Sequence, residues 1–146
     1  MPYLTPHMAG RGRPEHSGPL DGAGRRSIYI QVRRNFLTPL FLAFDYPIPF
    51  TTIGHRTVSN VPAQALTLMN DPFVHEQARL WGKEMAAKPG TVDERIEWMY
   101  RQAFARSPNE DELQTCREFL GEQPEASAWG SFAHSLFNVK EFRFVP

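Results

Sequence analysis

Helix-start signatures recur along this sequence at short intervals, and they limit how far any one helix can run. Thr38-Pro39, Asn60 ahead of Val61-Pro62, Asp71-Pro72, Thr91-x-x-Glu94 and Ser107-Pro108-x-Glu110 each set a small polar acceptor beside a proline or before a glutamate. Such acceptors satisfy the orphan N–H groups of a first helical turn. Proline fits the first helical position because its missing donor would be unbonded there anyway. The chain is thereby cut into short helices joined by corners, for which a bundle is the natural packing solution.

The text between the signatures has the matching period. Residues 61–70 carry Ala65, Leu66 and Met69, with Asn70 closing the segment in a left-handed conformation. The next segment carries Val74, Ala78, Trp81 and Met85, flanked by Phe73 and Leu80, and Lys88-Pro89-Gly90 ends it. Val92, Ile96, Met99, Tyr100, Ala103 and Phe104 follow the Thr91–Glu94 capping box. Leu113, Cys116 and Leu120 lie between the Ser107 cap and Gly121, and Trp129, Phe132, Ala133, Leu136 and Phe137 follow Pro124. Spacings of three and four residues put each set on one helical face.

The first half reads differently. Eight of the 13 prolines fall before residue 63, and residues 1–26 show neither helical nor strand period. Residues 27–32 alternate, with Ile28, Ile30 and Val32 on one side, which predicts a short strand; Ile28, Val32 and Phe36 four apart make a helix the competitor. Thr38-Pro39 starts a short helix over Leu40–Phe44, and Pro47 and Pro49 end it. The expected fold is mainly α: a small bundle of about four to five helices after an irregular Pro/Gly-rich segment, with at most one short strand. Its parts are an irregular basic segment over 1–26, a strand or helix, short helix and loop over 27–59, and the bundle over 60–146. These read as one domain.

Charge narrows the function classes. Formal net charge is zero, yet residues 1–60 hold seven Lys/Arg against three Asp/Glu, and residues 61–146 hold nine against thirteen. A domain that lives on nucleic acid shows a clear basic excess, which this balance lacks. The four arginines Arg25, Arg26, Arg33 and Arg34 bracket an aliphatic run and are expected to pair with carboxylates such as Asp45, Asp71 or Glu141. The single cysteine, Cys116, excludes a disulfide framework, a haem-attachment CxxCH and a thiolate zinc site, and its place on a helical stripe makes it a small core hydrophobe. No cofactor and no metal are expected. No apolar run approaches the roughly 18 residues of a membrane span.

Candidate chemistry is sparse. His75-Glu76 begins an HExxH, but position 79 is arginine, so the second imidazole ligand is missing. The Gly-Arg-Gly-Arg-Pro run at 10–14 fits neither a P-loop nor a dinucleotide fingerprint, although Arg11 and Arg13 could chelate an anion. His55 stands in a polar loop leading to a helix start, where negative ligands are favoured. Arg11, Arg13, Arg25, Arg33 and His55 together define a candidate anionic sugar site, on which the alternative reading is a component of an enzyme or polysaccharide-handling protein. No nucleophile, base and orienting group can be assembled, so catalytic residues stay unassigned. Most of the aromatic side chains sit on helical stripes and read as core, Tyr29 between Arg25 and Arg33 being the exception.

The order of motifs "RGRP", "GRRSIYIQVRRNF", "FDYP", "GHRTVSNVPAQALTLMNDPFV", "ARSPNEDEL" and "AHSLFNVKEFRFV" resembles the C-terminal part of the planctomycete-type "PSD-one" domain of unknown function. The likeness runs over about residues 2 to 146. Proteins of this kind are large and often carry a cytochrome c-like domain. The resemblance implies an extracytoplasmic or cell-envelope setting, upstream domains of the same polypeptide as partners, and no established catalytic residue. The leading reading of the chain is a non-catalytic structural or interaction module whose basic N-terminal half packs against its acidic helices or against a neighbouring domain. A piece of a larger domain leaves apolar surface uncovered, so self-association or partner binding is expected through residues 27–50.

Overall fold

The computed structural model describes residues 22–29, 37–55 and 59–143. Among them are seven α-helices: α1 (Pro39–Ala43), α2 (Pro62–Asn70), α3 (Pro72–Ala87), α4 (Val92–Phe104), α5 (Glu110–Leu120), α6 (Ala126–Asn138) and α7 (Lys140–Arg143). Two 3-10 turns, Gly22–Gly24 and Ser27–Tyr29, precede them. The chain divides into two compact units, Met1–Glu76 and Gln77–Pro146, with the division inside α3.

The mainly helical reading holds, with corrections at four helix ends and at the strand. Residues 27–29, expected to be extended, form a 3-10 turn closed by Tyr29 N–H donating to Arg26 O at 3.0 Å; residues 30–32 lie outside the described residues. A lone strand has nothing to bond its backbone groups to, and no strand is described that could pair with it. At α1, Thr38 holds the N-cap position but makes no side-chain cap bond. The N-cap of α2 is Val61, not Asn60, because Pro62 at the first helical position forces its predecessor into extended backbone (φ −121, ψ 150). Asn70 ends α2 in helical geometry and donates Nδ2 to Leu66 O at 2.8 Å, so its left-handed assignment fails. At α5 the cap moves from Ser107 to Asn109, since Asn109 and Glu112 form a complete capping box while the Ser107 hydroxyl donates to Glu97 Oε1 at 3.1 Å.

Two caps read from sequence are present. Asp71 Oδ1 accepts from Phe73 N–H at 2.9 Å at the start of α3. Thr91 and Glu94 exchange both bonds of a capping box at the start of α4. The closing helix α7 had no counterpart in the sequence reading.

In the first unit α1 packs against α2, and Phe41 stacks on Tyr46 at 5.7 Å. The second unit holds the larger core. Met85, Ile96, Met99 and Trp129 are fully buried, with Ala78, Cys116, Leu120, Phe132, Ala133 and Leu136 around them. Every stripe position predicted there from helical spacing contributes to that core or packs against it. Helices α3 and α6 approach at glycine: a Cβ on Gly82 would lie 2.5 Å from Gly130 Cα. Cys116 is buried as expected, its Sγ 3.7 Å from Tyr100 Oη, and burial pushes both the thiol and the phenol above their ordinary ranges.

Candidate functional site

Of the five residues proposed as an anionic site, Arg11, Arg13 and Arg33 lie outside the described residues. Arg25 and His55 are both exposed. The carboxylates proposed to neutralise the arginines are engaged elsewhere. Asp45 is bonded to Ser59, Asp71 caps α3, and Glu141 pairs with Arg106. Among the described residues, Arg25 and Arg26 form no salt bridge, which corrects the expectation of internal pairing for that arginine pair. Arg34 falls outside the described residues.

Two polar constellations that the sequence reading missed are built into the units. In the first unit, Asp45 adopts left-handed backbone (φ 57), which aspartate tolerates better than most residues. Its carboxylate accepts from Ser59 N–H at 2.7 Å and Ser59 Oγ–H at 2.9 Å. Gln64, 5% exposed, donates Nε2 to Ser59 O at 3.1 Å and to its Oγ at 3.2 Å. The node ties the FDYP turn to the start of α2. It leaves no hydroxyl activated by a base, because the Ser59 proton is directed to a carboxylate with no imidazole in the set.

In the second unit, the guanidinium of Arg106 is gripped by two carboxylates at once. Nη1 and Nη2 each donate to Glu112 at 2.7 Å, and Nε and Nη2 donate to Glu141 at 2.8 and 2.9 Å. Both contacts are bidentate, the geometry in which arginine–carboxylate pairing is strongest. Arg106 holds the Glu112 carboxyl down from 4.5 to about 2, with the Asn109 N–H adding to the effect, and it lowers Glu141 as well. The clasp fastens α7 to the α4–α5 turn. Arg117 makes a similar two-bond contact with Asp93, at 2.7 and 2.6 Å, tying α5 to α4. No sequence spacing announces the Arg106–Glu141 contact, which closes over 35 residues.

The apolar surface is distributed unevenly. Among the described residues, nine of thirteen exposed large apolar side chains fall between residues 28 and 69, Ile28, Tyr29 and Phe50 being 82%, 73% and 63% exposed. Among the described residues no cluster of three His, Cys, Asp or Glu could hold a metal ion. No helix there is long and apolar enough to cross a membrane.

Each of the polar arrays ties one element to another. The model of the family PSD1, "Protein of unknown function (DUF1553)", matches residues 4–120. The chain belongs to this family. The PSD1 match runs from the proline-rich start to the end of α5 and takes in five of the six motifs that carried the resemblance, the closing AHSLFNVKEFRFV lying beyond it. No curated protein and no solved structure matches.

Proposed function

We propose that this PSD1-family chain is a non-catalytic structural or interaction module of a larger cell-envelope or secreted protein, covered on its first unit by upstream domains of the same polypeptide or by a second copy. The observation that carries this reading is the set of exposed apolar side chains, Ile28, Tyr29, Leu42, Ile48 and Phe50, within the span where partner binding was expected. Soluble monomers rarely leave several large apolar groups of one region in water, and such surface marks a binding face. The polar constellations support the same reading, since each is saturated by partners that lock one element to another. The extracytoplasmic setting rests on the resemblance to large planctomycete-type proteins.

Size-exclusion chromatography with light scattering, combined with a hydrophobic-dye assay, tests the proposal. The chain should associate in a concentration-dependent manner or bind dye, and the double substitution Ile48→Glu, Phe50→Glu should abolish both. A monodisperse monomer that binds no dye overturns it.

A further inference from the structure

A groove of about 490 Å³ in the second unit is lined by one face of α3, with Gln102 and Ala103 of α4, Phe137 of α6 and Phe142 of α7 opposite. The α3 residues are Gln77, Leu80, Trp81 and Glu84, spaced i, i+3, i+4 and i+7 and therefore on one stripe. Trp81 stacks on Phe137 at 5.6 Å, and Phe137 leans on Phe142 at 5.1 Å, which makes an aromatic wall. Leu80 and Phe142 remain more than one-third exposed.

Two observations bear on what this groove could hold. Gln77 Nε2 and Trp81 Nε1 are buried donors without a hydrogen-bond partner. A buried donor left unmade costs on the order of 1–3 kcal/mol, so two on one stripe call for an acceptor. Glu84, at the end of the stripe, is exposed and makes no salt bridge among the described residues, as is also true of Glu110, Asp111, Glu122 and Glu125 away from the groove. The stripe thus offers two donors, an apolar wall and an unmatched negative charge in sequence along α3.

We propose that this groove takes an extended peptide segment of a partner protein that carries an apolar side chain beside a lysine or arginine. The spacing supports it. Side chains four apart on a helix are about 5–6 Å apart at Cβ, and alternate carbonyls of an extended chain repeat at about 6.6 Å along one edge. Successive same-side carbonyls can accept from Trp81 and Gln77 once the side chains at the groove turn to admit them. The apolar residue packs on the Trp81–Phe137–Phe142 wall, and the cation reaches Glu84. A neutral or acidic peptide satisfies the donors but leaves Glu84 unmatched or repelled. The groove is lined by residues of the second unit alone, so the association test above can fail without touching it.

Fluorescence anisotropy of the full chain with a fluorescein-labelled Arg-Val-Leu-Val-Arg peptide reads the proposal, with Glu-Val-Leu-Val-Glu as the charge-swapped probe. Saturable binding of the basic peptide is expected. Glu84→Lys should weaken it about tenfold or more and should improve binding of the acidic peptide. Gln77→Leu should weaken the basic peptide without reversing the charge preference. Glu84 is solvent-facing, so its variant should keep the helical circular dichroism of the parent. No saturable binding, equal binding of both peptides, or binding that Glu84→Lys leaves unchanged overturns the proposal.

Discussion

At Gly82 the missing Cβ is what lets α3 and α6 touch, for the atoms a methyl group would meet are backbone: Gly130 Cα at 2.5 Å and Ala126 O at 2.9 Å. Backbone cannot step aside as a flexible side chain can, so Gly82→Ala must separate the helices over a core that includes fully buried Trp129 and Met85. The expected cost is about 1–3 kcal/mol, the range for overpacking a close-packed interior, read as a lower denaturant midpoint. Ala105 presents the opposite case. It ends α4 in left-handed backbone at φ 57, where a Cβ is penalised. Ala105→Gly relieves that strain and gives back part of the gain through the looser unfolded chain, so the net stabilisation should be about 0.5–1 kcal/mol in the same melt. Neither position could be singled out from sequence: a glycine inside a helical stripe reads as a weak spot, and an alanine before Arg-Ser-Pro reads as ordinary helix.

The elements show where sequence reasoning succeeds and what it lacks. Stripe positions of α3 to α6 were legible because burial selects apolar residues at helical spacing, and nothing competes with that signal. Cap positions were less so, because adjacent residues offer the same chemistry. Around the start of α5, Ser107, Asn109, Glu110 and Glu112 permit two registers of the same device, and only tertiary contacts decide between them. Ser107 is drawn off by Glu97 and by Arg101 Nε at 3.4 Å, which leaves Asn109 to pair with Glu112. Asn109→Ala should therefore cost about 1 kcal/mol by denaturant melting, and Ser107→Ala distinctly less. Equal losses would restore the cap to Ser107. Asp71→Ala should also cost about 1 kcal/mol, since its Oδ1 caps α3. The pairing expected of Arg25 and Arg26 is not found among the described residues for the same physical reason: a charge can reach any carboxylate within side-chain length, and which one it finds depends on packing that local spacing does not encode. Of the anionic site, the described residues offer only two exposed side chains, Arg25 and His55.

On the scale of the molecule, the second unit has a definite acid limit. Glu112, Glu141 and Asp93 all have carboxyls lowered in the folded state, first of all by hydrogen bonds from Arg106 or Arg117. A carboxyl lowered by folding binds its proton more readily in the unfolded chain, so its contribution is fully present above the unfolded value and is lost as pH falls through the folded one. For Glu112 that window runs from 4.5 down to about 2. Because the clasp side chains are 29–40% exposed, solvent screening keeps the contribution modest. Thermal melts followed by near-ultraviolet circular dichroism should show the transition temperature of the second unit falling between pH 5 and pH 2. Arg106→Met removes the guanidinium that holds two of these carboxyls down. The variant should start less stable near neutrality and lose less on acidification, so the two curves converge toward pH 2. Parallel curves would mean that the clasp contributes nothing to the acid dependence, and that α7 is held by Phe137 against Phe142 instead.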